Sequence, residues 1–164
     1  MFKNLFKKDT KKEEIFAHAT GELVKLENVP DPVFGQKIMG EGIAIKPSNG
    51  QVVAPIDGEI TLIADTKHAF GIKTELGEEI LVHIGLETVG LKGEGFNVRA
   101  KTGDRVTKGQ TIVEADLAFI EEKGCNTIIP MVVTNNMEEK FKFEWENSDQ
   151  VKAGESKVFT TKLK

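Results

Sequence analysis

From Ile15 to the C-terminus the chain is a succession of short β-rich runs, each cut off by turn chemistry before it can extend. The runs are Leu23–Leu26, Gly42–Ile45, Gln51–Ala54, Glu59–Ile63, Asn97–Ala100, Thr111–Ala115, Thr127–Thr134, Lys140–Trp145 and Lys157–Lys162, with two more around His68 and His83. Between them stand Asp31-Pro32, Ser48-Asn49-Gly50, Asp57-Gly58, Gly103-Asp104 and Lys108-Gly109. In such turns Gly supplies left-handed backbone, Pro presets φ, and Asn or Asp bonds its own main chain. Strands this short must bury one face against a second sheet. The expected class is therefore all-β, an antiparallel sandwich or barrel of the jelly-roll or barrel-sandwich-hybrid kind. Helix is confined to two short pieces, Asp116–Glu122 (capped by Asp116, ended by Gly124) and a turn around Asp31–Gly35.

Gly and Pro are dispersed through the 164 residues, which predicts one domain with a real core over residues 15–164. The net charge of −4 argues against nucleic acid and leaves room for steering by a basic protein. Cys125 is the only cysteine, so no internal disulfide forms, and the cytoplasm is the simplest home. No stretch has the length of a transmembrane helix or the pattern of a signal peptide. Residues 1–14 stand apart as a basic amphipathic tail: Phe2, Leu5 and Phe6 share a helical face among five lysines. The tail could lie on the inner face of the membrane, attracted to anionic lipid.

The candidate site lies in Gly77–Val89, where His83 ends the apolar run Ile80-Leu81-Val82 and Gly85 follows closely. Upstream, His68 opens a second run, and Glu75-Leu76-Gly77-Glu78 reads as the hairpin loop between them. With that loop Thr74 pairs with Glu79, Phe70 faces His83, and His68 becomes its diagonal neighbour at about 7–8 Å. Phe70, Ile72 and Leu81 would then share the histidine face as an apolar rim. A loop of two residues would set the histidines directly opposite, and an odd-numbered loop would part them onto opposite faces. Two imidazoles converging in an apolar dish suit metal binding, acid–base work or a phosphoryl group held on one ring.

The segment Gly77–Val89 resembles the active-site signature of the glucose-family enzyme IIA of the bacterial sugar phosphotransferase system. Thr66-Lys67-His68-Ala69-Phe70 is similar to that family's second histidine motif, and Leu91-Lys92-Gly93-Glu94-Gly95-Phe96 to the loop that follows. The resemblance implies a phosphocarrier, an enzyme component with a covalent phosphohistidine. His83 would accept a phosphoryl group from the histidine phosphocarrier protein and pass it to a cysteine of a glucose-type IIB domain of the sugar permease. His68 would hold the phosphoryl oxygens, Gly85 would fix His83 through its carbonyl, and Thr66 would orient His68. Glu87 matches an acidic position that could receive an arginine of the donor. Phe34, Val33, Ile38, Met39 and Leu81 would form the partner-docking patch of a monomer that could also bind regulatory targets. No cofactor is required, although His68 and His83 could share a zinc ion with a partner's carboxylate. The chain carries Ala64 and Leu81 where the best-known enteric members have aromatic residues, and Asn135-Asn136-Met137-Glu138 aligns only loosely with an acidic position.

The alternative is a zinc-dependent hydrolase of related β architecture using His68 and His83, but Ile84-Gly85 after His83 denies it a His-x-His pair. A third class, a prosthetic-group carrier, is suggested by Val53–Ile60 and Gly103–Gln110, which resemble the opening and closing turns of biotinyl and lipoyl domains. No lysine occupies a hairpin tip in the required context. Of the remaining candidates, His18 reads as exposed, Cys125 as inert, and Glu78, Glu79, Glu94, Glu121 and Glu122 as surface charges.

Overall fold

The computed structural model describes residues 12–136 and 139–164; most of the tail and the Met137-Glu138 position lie outside the described residues. Its strands are β1 (Lys12–Phe16), β2 (Gly21–Lys25), β3 (Glu41–Pro47), β4 (Gln51–Val53), β5 (Gly58–Ile63), β6 (Ala69–Lys73) and β7 (Glu79–His83). They continue as β8 (Phe96–Val98), β9 (Arg105–Val106), β10 (Thr111–Ala115), β11 (Ile129–Val133), β12 (Phe141–Trp145), β13 (Gln150–Val151) and β14 (Lys157–Leu163). Every pairing is antiparallel. One sheet of eight strands runs β13-β2-β3-β11-β7-β6-β5-β9, and two sheets of three run β1-β14-β12 and β4-β10-β8. The expected sandwich is the observed fold. Both short helices are present: α1 (Pro32–Gly35), capped by Asp31, and α2 (Leu117–Glu122), capped by Asp116. Neither is long and apolar enough to cross a membrane.

Alternation decides which residues fill the interior. Along β6 and β7, Phe70, Ile72, Ile80 and Val82 point inward with Ile84 and meet Ile45, Ile60, Met131 and Phe159 in the main core. Each such side chain, fully withdrawn from water, contributes roughly 1.5–3 kcal/mol. Strand β11 is buried along its whole length, as a strand covered on both faces must be. Its outward residue Val132 joins a second, smaller apolar cluster with Leu26, Val29, Phe34, Ala44, Leu86 and Ile128, against which Leu81 packs. That outer cluster is the floor of the histidine site.

Three sequence readings change here. Lys12, Glu13 and Glu14, read as the end of the tail, pair with β14 through Lys162, Thr161 and Thr160. Glu78, read as a surface charge, is fully buried, and the Thr161 hydroxyl donates to its Oε2 at 2.7 Å. His18 is also fully buried; its Nε2 donates to the Ile129 carbonyl at 2.7 Å while Nδ1 has no partner. Short-range polarity misled in both cases, because burial comes from strands far away in sequence.

Burial depresses the His18 pKa from 6.5 to about 4, against a smaller opposing pull from the Ile129 carbonyl. A histidine held neutral in the fold binds fewer protons than the unfolded chain between those values, so its contribution is lost as pH falls through that window. Unfolding free energy is expected to fall by up to about 3 kcal/mol from this group between pH 6.5 and 4. His18→Gln, which keeps a donor for Ile129 but does not titrate, should flatten that limb in urea titrations at stepped pH.

Candidate functional site

The two histidines stand where β6 begins and β7 ends. The loop between the strands is Glu75-Leu76-Gly77: Thr74 N donates to Glu78 O at 3.0 Å, and Glu78 N donates to Thr74 Oγ1 at 3.1 Å. Lys73 therefore pairs with Glu79, and Ala69, not Phe70, stands opposite His83. In this register strand alternation alone would part the histidines. Phe70 and Ile72 accordingly turn into the main core and form no rim. The rings meet nonetheless, with centroids 4.8 Å apart and planes at 80°. His68 escapes the pleat because β6 starts only at Ala69, and Lys67 just before it is left-handed with φ 62°. Its backbone stays tied to the neighbouring strand, its carbonyl accepting Ile84 N at 2.6 Å.

Each ring is held by a different group. His83 Nδ1 donates to the Gly85 carbonyl at 2.6 Å, which leaves Nε2 as the unprotonated nitrogen. His68 Nδ1 lies 2.7 Å from Thr66 Oγ1. Gly85 is left-handed (φ 79°), and its own N–H donates to the Ile128 carbonyl at 3.0 Å. One turn on, the buried Thr88 hydroxyl donates to the Ile84 carbonyl at 2.6 Å. These bonds fix the carbonyl that fixes His83.

The apolar surround comes from α1. The Phe34 ring lies 5.1 Å from the His83 ring and is only 5% exposed, so Phe34 is a wall of the site and not an exposed docking residue. Asp31 seats it, its Oδ1 accepting from Val33 N at 2.8 Å and Phe34 N at 3.3 Å. Val33, Ile38 and Met39 are exposed as expected, and Leu81 is half-buried. Glu87 is exposed and left-handed. Asp31 and Thr88 were missed as site residues. The Asp-Pro pair signalled only a helix start, and nothing local marks Thr88 as the brace behind Gly85.

Burial lowers the pKa of His83, against the Gly85 carbonyl and the charge of Asp31, which raise it. His68 is lowered first by burial and then by the proximity of His83. Both rings are thereby biased to the neutral form in which an imidazole nitrogen can attack or coordinate. Four non-glycine residues flanking the site in the chain are left-handed: Lys37, Lys67, Glu87 and Lys92.

Fold and site together define a small all-β protein that presents two imidazoles side by side at the end of its main sheet. Among the described residues no group of three or more His, Cys, Asp or Glu side chains gathers to hold a metal, so the hydrolase alternative lacks a ligand set. Residues 13–139 match the model of the phosphoenolpyruvate-dependent sugar phosphotransferase system, EIIA 1, and the chain belongs to that family. It is 48% identical to the PTS system glucose-specific EIIA component of Halalkalibacterium halodurans over 99% of both chains. It is 51% identical to the component of that name from Oceanobacillus iheyensis, over 82% of this chain and 84% of the relative. Among solved structures, glucose permease IIA from Mycoplasma capricolum superposes with a TM-score of 0.84 at 34% identity, covering 92% of this chain and 97% of that one. The family read from Gly77–Val89 is the right one, and the chain is a phosphocarrier component of the sugar phosphotransferase system.

Proposed function

We propose that His83 carries the phosphoryl group on Nε2, taking it from the histidine phosphocarrier protein and giving it to a cysteine of a glucose-type IIB domain. The observation that carries this reading is the 2.6 Å bond from His83 Nδ1 to the Gly85 carbonyl. It commits the ring to the tautomer whose Nε2 lone pair can attack phosphorus. The new N–P bond forms as the bond to the donor's imidazole breaks, and the donor nitrogen leaves with that electron pair. In the second transfer the cysteine thiolate displaces His83 in the same manner.

Phosphoryl transfer depends on in-line placement and on stabilising charge spread over the equatorial oxygens. His68 suits the second task if the Thr66 hydroxyl donates to its Nδ1, since Nε2–H then points outward as a donor. The Phe34 wall limits water, which would hydrolyse the phosphohistidine. Val33, Ile38, Met39 and Leu81 supply an apolar docking surface beside the site, with Glu87 at its rim for steering a basic partner. Regulatory proteins could use the same surface. Residues 12–164 act as one EIIA domain on the cytoplasmic side, and the basic tail before them could meet the inner membrane face. Zinc is not part of this reading, for two imidazoles alone do not make a site.

His68→Gln tests the division of labour. Acceptance from the phosphocarrier should be near normal, because the nucleophile is intact. Onward transfer to the IIB cysteine should fall by about 10²-fold or more, the scale for losing one charge-stabilising donor. Phospho-His83 would then accumulate, as followed by intact-mass spectrometry in a reconstituted system. Normal onward transfer would remove His68 from the mechanism.

A further inference from the structure

The transfer chemistry leaves two inward-turned carboxyls unused, one buried and one half-buried. Glu78 is fully buried at the foot of β7, with Oε2 taken by Thr161 of β14 and Oε1 without a partner. Glu13 on β1 reaches the same spot. Its Oε2 accepts from Leu76 N at 3.1 Å, and its Oε1 is also buried and unpartnered. Glu13 stands directly opposite Thr161 across β1 and β14, and Thr161 is the residue that holds Glu78, so the two carboxyls share one corner. Two ionised carboxylates are acceptors only and repel; a single proton between them gives each orphaned oxygen a partner.

Among the described residues nothing around the pair offers another way to neutralise it. Thr74 bonds the Glu78 amide, while Asn135 donates to Gly77 O at 2.8 Å and accepts from Glu79 N at 3.0 Å. Glu75 and Glu79 are exposed, as are Lys12 and Lys162, which face each other across β1 and β14. Glu14 is paired with Lys157 at 3.3 Å. Among the described residues no Lys, Arg or His nitrogen lies within 4.0 Å of either carboxyl.

We propose that Glu13 and Glu78 share one proton as a pH-operated latch, which closes the start of β1 over the loop of the histidine hairpin and opens that corner when the proton is lost. The latch is independent of the phosphoryl chemistry, since it lies at the opposite end of β7 from His83. Its direction follows from linkage. Burial first, and the bond to Glu13 second, push Glu78 from 4.5 up to about 8. A carboxyl raised in this way stabilises the closed form fully below its ordinary value, and that support is lost as pH rises through about 8. The corner is closed at neutral pH and opens in alkali.

The test uses the full chain and amide exchange at Leu76, whose N–H is held by Glu13. Its protection relative to the intrinsic rate should fall by about tenfold or more between pH 6.5 and 9 in the wild type. In Glu78→Gln, where an amide N–H replaces the shared proton, protection should not change over that range. A flat wild-type profile, or an unchanged slope in Glu78→Gln, would overturn the latch. Carboxyl-carbon NMR of the wild type decides the matter even if the variant folds poorly. A Glu78 midpoint near 8 supports the shared proton, and one near 4.5 rules it out.

Discussion

His83→Gln is expected to accept no measurable phosphoryl group, a loss of at least ~10⁴-fold, the scale seen when the nucleophile of a concerted unit is removed. The carboxamide can still donate to the Gly85 carbonyl, so the loop after β7 should keep its shape. It has no lone pair that could displace a phosphoryl group. His68 cannot take over without rebuilding, because its ring is oriented by Thr66 and sits edge-on to the vacated position. Intact-mass spectrometry after incubation with phosphoenolpyruvate and the general phosphotransferase proteins reads the result directly. A variant that still gains one phosphoryl mass would place the acceptor elsewhere.

Gly85→Ala should damage fold and transfer together. At φ 79° a side chain is strained in any surroundings, and a Cβ would lie 2.6 Å from Thr88 Cγ2 and 2.9 Å from the Asn126 carbonyl. Left-handed strain of about 1–2 kcal/mol plus overpacking of about 1–3 kcal/mol predicts a stability loss near 3 kcal/mol. The segment that relaxes to make room also carries the carbonyl holding His83 Nδ1, so acceptance should fall beyond what unfolding explains. Urea midpoints and single-turnover transfer, measured on the same samples, separate the two losses. A variant as stable and as active as wild type would mean that Gly85 is replaceable and the fixed carbonyl incidental.

The fold was legible because turn residues and β-rich runs agree along the chain. Two readings from the pattern failed for one reason: local sequence does not report what distant strands cover. His18 lies near the start of the fold, and Glu78 sits in an acidic loop, yet β11 holds the first and β14 the second. The histidine pair shows the reverse case. Strict alternation with the observed loop would have separated His68 from His83, and the left-handed turn at Lys67 that reunites them leaves no mark in a lysine codon. The signature around His83 succeeded because its glycine and its histidine are coupled through one short backbone bond. Phe34 was correctly brought to the site but to the wrong side of its surface, since its apolar character suits a wall as well as a docking face.

The left-handed lysines and glutamate around the site bear on durability. A non-glycine residue in that conformation gives up roughly 1 kcal/mol or more, and asparagine tolerates it better. A hardier laboratory form of this domain would thus begin at exposed Lys92, past the histidine hairpin, where easing the backbone disturbs no bond to either ring. At Lys67 the same exchange would favour the left-handed bend that brings the rings together. There, shelf life and catalytic alignment gain from the same change.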